Sequence, residues 1–226
     1  MKSTSRAPSL GRQVIAHLIL LSTSIVVLYP VLWVLKMALS PSQSYSIDPN
    51  PIPQTVTLDN FATVMGFGAD GNPWFWHQLG NSLLISLVTA ALGMVLSCTA
   101  AYAMSRFHFP GREKGMQMFL ITQMFPGVVM AVPLYILLDE LGMLNSMLGL
   151  ALVYSTTAIP FCTWNLKGYF DTIPRELEEA AIMDGASRWL IFSQIVLPLA
   201  RPALAVTALF SFMTAWNEFI LAFTFL

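Results

Sequence analysis

Charge is what this sequence has least of. Only 10% of its 226 residues are Asp, Glu, Lys or Arg, against 56% hydrophobic, whereas an ordinary soluble domain carries about 25% charged residues. So few charges cannot coat a soluble globule of this size, and the chain reads as an integral membrane protein. Cysteine is nearly as scarce. Cys98 and Cys162 each lie inside an apolar run with no partner nearby in sequence and no metal-ligand spacing, which excludes a disulfide framework or a zinc motif and leaves two small buried hydrophobes. His17, His77 and His108 are scattered and make no ligand cluster. Also missing is a GxxxxGK[ST] phosphate loop, since the run from Gly111 to Gln117 lacks the second Gly-Lys pair at the required spacing. The chain therefore cannot energise itself with ATP. No Ser/His/Asp set and no paired-carboxylate site is legible either, which argues against an enzyme.

What is present is a series of long apolar runs separated by unequal polar segments. The net charge of −1 hides the useful asymmetry. Ten of the eleven basic residues fall in three groups: Lys2, Arg6 and Arg12; Arg106, Arg112 and Lys114; and Lys167, Arg175, Arg188 and Arg201. The intervening polar segments carry Asp48, Asp59, Asp70, Asp139 and Glu140, with Lys36 the sole basic exception. Because Lys and Arg concentrate in cytoplasmic loops, the three basic groups are expected inside. The chain then divides into a cytoplasmic N-terminus (1–13), a first span (14–36), an external loop (37–80), a second span (81–105), a cytoplasmic loop (106–115), a third span (116–138), an external turn (139–146), a fourth span (147–168), a cytoplasmic segment (169–200) and a fifth span (201–226). The expected fold class is all-α, a polytopic transmembrane helical bundle. The run from Val14 to Leu35 covers roughly 33 Å at 1.5 Å per residue, enough for a hydrocarbon core of about 30 Å. It also exceeds the apolar core of a signal peptide, about 7–15 residues, so it reads as a retained helix, with Pro30 expected to bend its outer end.

Prolines 41, 49, 51 and 53 break any helix in the loop that follows, while TLDNFATVM after them reads as a short surface helix started by Thr57 or Asp59. Residues 66–73 are turn-rich, and Trp74-Phe75-Trp76 belongs at a membrane interface. The second span is rich in Ala, Ser, Gly and Thr, small residues that let membrane helices approach closely. The third is interrupted by Pro126-Gly127 and Pro133. Such breaks survive in a membrane only where neighbouring protein, side chains or water satisfy the freed backbone groups, so this helix is expected to face other helices or an aqueous pathway. In the fourth, Ser155, Thr156, Thr157 and Asn165 are the polar exceptions and Pro160 is an expected kink.

The stretch from Glu179 to Pro198, EAAIMDGASRWLIFSQIVLP, differs from its surroundings by mixing charge with apolar residues. Pro174 can occupy a first helical turn, and Arg175 to Met183 are good helix formers. Asp184-Gly185 then ends that helix, because Gly tolerates the positive φ of a helix stop. Ser187 can cap a second helix, on which Trp189, Phe192, Ile195 and Val196 recur at helical spacing as an apolar stripe. The small pair Ala180-Ala181 leaves room beside the corner for another protein surface.

Glu179-Ala180-Ala181, three residues, Gly185, nine residues, Ile195, one residue, Leu197-Pro198 resembles the EAA motif of membrane subunits in bacterial ATP-binding-cassette importers, with every fixed position matched. TLDNF at 57–61, AYAMSRFHFPG at 101–111, LKGYFDTIPRELEEAA at 166–181 and AWNEF at 215–219 resemble the carbohydrate branch, in particular the maltose-type second permease subunit. The 101–111 stretch taken alone is equally an ordinary basic loop. The resemblance implies a type I importer permease fold and a coupling helix in which Glu179, Ala180, Ala181, Asp184, Gly185, Ile195, Leu197 and Pro198 dock an ATP-hydrolysing subunit and pass on its motion. It also implies a second permease subunit, two ATPase subunits holding ATP and Mg, an extracytoplasmic sugar-binding protein and a lipid environment in the inner membrane, with no nucleic acid and no cofactor in this chain. The loop at 37–80 would help receive the binding protein. A sixth span would be expected beyond the fifth.

Within the fifth span, Glu218 lies about 24 Å of helix beyond Ala203, towards the outer boundary. A carboxylate at the bilayer centre costs about 2.5–3.5 kcal/mol on insertion scales. Glu218 therefore either reaches external water, or joins Trp216 and Asn217 in lining the pathway or its outer gate; the residues leave both open. An ion- or proton-driven carrier is the alternative from another class, for which Glu218 is the one weak candidate. A membrane scaffold without transport would give the broken third helix no purpose.

Overall fold

The computed structural model describes residues 10–41, 50–53, 55–66 and 74–226. Expectations for 1–9, 42–49, 54 and 67–73, among them most of the basic N-terminus and much of the proline-rich loop, lie outside the described residues. Every regular element among the described residues is helical, and the chain divides into two compact units, 1–78 and 79–226.

In the first unit, α1 (Leu10–Leu39) continues through Pro30 as a single helix. Its apolar side chains are exposed almost throughout, so its stripe is not spent on a core of this unit. The end of α1 is closed by the segment that follows. The last carbonyls of a helix lack intrahelical donors, and α2 (Asp59–Val64) brings Asn60 to them: its side-chain nitrogen reaches the carbonyls of Met37, Ala38 and Ser40 at 3.4, 3.0 and 2.8 Å. Thr57 N–H adds a bond to Leu39 O at 2.8 Å. The Thr57 hydroxyl also accepts from Asp59 N–H at 3.2 Å, which starts α2. Buried Lys36 donates to Asn50 O at 2.6 Å and lies over the Trp33 ring.

The second unit holds most of α3 (Phe75–Arg106), then α4 (Arg112–Gln123), α5 (Gly127–Glu140), α6 (Met147–Thr172), α7 (Glu176–Met183), α8 (Arg188–Ile191), a π-helical turn (Phe192–Val196), α9 (Leu197–Leu199), α10 (Arg201–Trp216) and α11 (Ile220–Phe225). α1, α3 and α6 are each long and apolar enough to cross a membrane. Two bent pairs pass the same test of length and composition only when each is taken together, as a broken span or a re-entrant loop: α4 with α5, turned by 104°, and the α8–α9 run with α10, turned by 80°. The third span is thus a sharp elbow rather than an interrupted rod, because Pro126 lacks an N–H and its ring cannot follow a helical residue without clash. The fifth is divided at residues 217–219, where α10 stops and α11 begins.

α6 lies at the centre of this unit, with α10 and α4 packed along it. Apolar clusters close its two ends. One joins Ile85, Leu138, Leu150, Tyr154, Leu221 and Phe225; the other joins Cys98, Ala101, Leu166, Phe170, Phe192 and Val196. Between them the helix faces carry buried Ser97, Thr163, Thr207 and Ser211. Asn165 donates to Thr207 Oγ1 at 2.8 Å, and Ser97 to Ile159 O at 3.3 Å. A Cβ on Gly93 would lie 2.9 Å from Ser211 Oγ, so glycine is what allows α3 to approach α10 there.

Candidate functional site

The segment from Thr172 to Ala200 is assembled by local rules and then clamped by distant ones. Pro174 prevents α6 from continuing, and α7 opens with Glu176, Glu178 and Glu179 in its first turn, where negative charge suits the helix dipole. Helical phase separates these carboxylates. Glu179 is exposed, whereas Glu178 turns back onto α3, its side chain 13% exposed and 2.5 Å from Arg106 Nε, itself 7% exposed. Tyr102 OH donates to the other Glu178 oxygen at 3.2 Å. The remaining Arg106 nitrogens donate to Ile173 O at 3.1 Å and Ser105 Oγ at 3.0 Å. Ser105 Oγ in turn donates to Asp171 at 2.6 Å, and Lys167 Nζ holds the second Asp171 oxygen at 2.6 Å. Partial burial acts to raise the Asp171 carboxyl, but the bonds from Lys167 and Ser105 and the Arg106 charge outweigh it and hold the group below its ordinary range. Arg175 completes the clamp with a bond to Ser105 O at 3.3 Å. The foot of α3, the foot of α6 and the start of α7 are therefore one polar unit.

Beyond it the corner is a Schellman stop. Ala186 N–H bonds to Ala181 O at 2.9 Å and Gly185 N–H to Ile182 O at 3.0 Å, with Gly185 at φ +84. Ser187 Oγ then accepts from Leu190 N–H at 3.3 Å and caps α8. The π-helical turn has a local cause. Pro198 cannot donate to Gln194 O and its ring crowds that carbonyl, so the preceding turn widens and Leu197 N–H bonds instead to Phe192 O. Phe192 and Val196 are buried, and Tyr102 lies 4.6 Å from the Phe192 ring. Trp189, expected on that apolar stripe, is instead 70% exposed, because the helix is only one turn old there and the stripe takes its final direction in the π turn.

Of the residues singled out in the sequence, Glu179, Ala180, Asp184 and Gly185 stand together on the exposed tip. Ala181 and Ile195 are half-buried against the core beneath, with Leu197 and Pro198 in the wall leading to α10. The tip also shows Ile182, Trp189 and Met183, the last 87% exposed. Tyr102, Ser105, Arg106 and Glu178 were not foreseen as site residues. Trp216, Asn217 and Glu218 lie at the far end of α10 and are not joined to this tip. Trp216 is exposed and stacks on Phe212, and Asn217 bonds only to its own helix at Met213 O. Glu218 is half-buried: it accepts from Tyr154 OH at 2.7 Å and from the N–H groups of Leu221 and Ala222 at 3.0 and 3.2 Å. A carboxylate so placed ends α10 and caps α11. Among the described residues no group of His, Cys, Asp and Glu is placed to hold a metal ion.

The family described as binding-protein-dependent transport system inner membrane component matches residues 93–226, a stretch containing the whole clamp and corner. This chain belongs to that family. It is similar to the diacetylchitobiose uptake system permease protein of Streptomyces coelicolor, 34% identical over 211 residues covering 92% of this chain and 67% of the relative. It is similar as well to the maltose/maltodextrin transport system permease protein of Escherichia coli, 36% identical over 226 residues covering 92% of this chain and 74% of the relative. In fold it resembles a chain in the crystal structure of a bacterial ABC transporter involved in the import of the acidic polysaccharide alginate, with a TM-score of 0.80, 23% identity, and coverage of 98% of this chain and 78% of the other. The protein is accordingly a membrane-embedded permease subunit of an ATP-binding-cassette importer and not an enzyme. Nothing in the family or the fold favours the ion-driven carrier.

Proposed function

We propose that the importer carries a neutral oligosaccharide and that the tip formed by α7 and α8 is its coupling element, an EAA motif docked in an ATPase subunit. The observation that carries the second part is the contrast between tip and base. An exposed surface of Glu179, Ala180, Ile182, Met183, Asp184 and Trp189 stands on a base fixed by an ion pair and by side-chain hydrogen bonds. A mobile tip would absorb a partner's motion, whereas a clamped one passes it to α3, α6 and α10. Support for the sugar comes from relatives named for diacetylchitobiose and for maltose and maltodextrin.

On this reading ATP and Mg are held by two partner ATPase subunits, a second permease completes the pathway, and an extracytoplasmic binding protein delivers the sugar. The N-terminus lies in the cytoplasm of an inner-membrane protein, because the basic groups, the tip among them, share that side. ATP binding draws the partner cleft shut and biases the permeases towards the outward-facing state, a ligand acting through its different affinity for two conformations. The test is purification of the tagged chain from its native membrane, identification of what accompanies it, and uptake of maltose, trehalose and diacetylchitobiose in lipid. Recovery of an ATPase that Gly185→Val no longer retains supports the coupling role. An intact native complex without an ATPase, or an unchanged complex in that variant, refutes it.

A further inference from the structure

The elbow between α4 and α5 poses a problem of backbone chemistry. Pro126 has no N–H, and α5 opens without a side-chain cap, so the N–H groups of Gly127 and Val128 have no helical acceptor, while Val129 N–H bonds back to Pro126 O at 2.9 Å. The elbow is not covered by this unit, for Met124 is 79% and Phe125 57% exposed. Irregular backbone at membrane depth cannot face lipid, since each unsatisfied group there costs several kcal/mol, and it is tolerated only where it meets protein or lines an aqueous cavity. Broken helices of this kind form the substrate sites of other classes of membrane transporter.

The lining of the adjoining recess decides between the two. It holds ≈ 510 Å³ between α4, α5 and α6, within the range of about 300–1,000 Å³ typical of small-molecule sites. Phe119 and Phe125 supply rings, and Gln123, Thr156 and Thr157 supply polar groups, with no charged side chain in the lining. The Thr156 and Thr157 hydroxyls already donate to Val153 O and Tyr154 O at 2.7 and 2.8 Å, which leaves their oxygens free to accept. Gln123 Nε2 donates to Thr157 O at 3.0 Å, fixing the carboxamide across the gap between α4 and α6. Acceptors, an N–H donor and a ring around an uncharged space suit a pyranose, which offers hydroxyls at its rim and a C–H face to stack.

We infer that this recess is a saccharide-contacting wall of the transport path, with Gln123, Thr156 and Thr157 receiving sugar hydroxyls and Phe125 the ring face. The inference rests on the sugar-importer reading above. It assigns this chain a direct part in substrate passage, apart from coupling.

The test uses the whole importer, with its ATPase subunits, second permease and binding protein, in proteoliposomes. Initial uptake of radiolabelled maltose, trehalose and diacetylchitobiose is measured together with binding-protein-stimulated ATP hydrolysis, for wild type, Gln123→Leu, Thr156→Val, Phe125→Ala and Phe125→Tyr. Loss of one hydrogen-bonding partner corresponds to about a fivefold effect. Sugar moved per ATP is expected to fall by about that factor in the first three variants and to be kept in Phe125→Tyr, with the order of preference among sugars altered. Thr156→Val is isosteric and carries the test where a larger change prevents assembly. Wild-type uptake per ATP and sugar order in every variant overturns the inference, leaving the elbow as a seat for the partner permease. A wild-type importer that moves none of the three sugars overturns the sugar reading, and this inference with it.

Discussion

Glu178, and not its neighbour in the motif, is where the structure concentrates consequence. Replacing it with Met removes the anion from a pair whose side chains are 7% and 13% exposed. Breaking a buried pair by deleting one partner costs about 3–5 kcal/mol, chiefly because the other charge is left uncompensated. Here Arg106 keeps Ser105 Oγ and Ile173 O as neutral acceptors, so the lower end applies, about 3 kcal/mol. That amounts to roughly a 150-fold shift in the opening equilibrium of α7 against α3. Amide hydrogen exchange in the purified importer reads this opening directly, provided α7 opens locally and not with the whole protein. Amides of residues 180–186 are expected to exchange roughly 100-fold faster, while those at the centre of α6 are unchanged. Arg106→Met with Glu178→Met should cost much less than the two single changes together, because no lone charge remains; a coupling of about 2 kcal/mol is expected. Single variants within a fewfold of wild type, or a strictly additive double variant, would refute the argument that this pair clamps the corner.

Three further outcomes follow from local geometry. Gly185 sits at φ +84 with nothing within 4 Å of an added Cβ, so the cost of substitution is conformational: Gly185→Asn should keep most transport, and Gly185→Val, strained by about 1–2 kcal/mol or more, should lose it. Equal uptake by the two would contradict this. Asn60→Leu strips the cap from α1, and the last-turn amides of α1 should exchange about fivefold faster, as expected for about 1 kcal/mol of lost hydrogen bonding; no change would mean that Thr57 suffices. Glu218→Ala leaves buried Tyr154 OH without its acceptor at a cost of about 1–3 kcal/mol, lowering the melting temperature of the complex by several degrees, while Glu218→Gln should lose less than half as much. Equal losses would show that charge, and not acceptance, is what Tyr154 and α11 require.

The corner was legible because its causes are local. Gly185, Ser187 and Pro198 each act within five residues, through positive φ, a cap and a missing donor, and the helix stop and the second cap follow from them. The clamp was not legible, since Arg106 and Glu178 are 72 residues apart and only the helical phase of α7 decides which of two adjacent glutamates turns inward. Arg106 could be read as a basic loop residue and nothing more. The same holds for Asn60, whose partners are carbonyls 20 to 23 residues earlier. Pro126-Gly127 announced a break, but its angle is set by how α4 and α5 pack on α6 and α11. At Glu218 the sequence could not supply the partner: Tyr154 is 64 residues away, and its bond to the carboxylate that caps α11 ties that helix to α6.

The arrangement also fixes how a force applied at the tip must travel. Below α7 the polar clamp and the apolar cluster of Ala101, Leu166, Phe170, Phe192 and Val196 join three helix feet, so the tip cannot tilt without moving α3, α6 and the approach to α10 together. Higher up, the α3–α6–α10 contact is made by small hydroxyl side chains and Gly93, with Asn165 to Thr207 and Ser97 to Ile159 O as directional bonds across it. Such a surface resists sliding far less than interdigitated Leu and Phe do, because small side chains form no deep ridges and grooves. On the coupling role proposed above, motion entering at the foot would be carried upward as rotation of whole helices to the next places where the backbone is already broken, at residues 124–126 and 217–219. Both breaks adjoin Leu221, which lines the recess at the elbow and whose N–H is held by Glu218. On that same role, such a permease would deliver displacement at the elbow, where the N–H groups of Gly127 and Val128 lack helical acceptors, while its corner stays rigid.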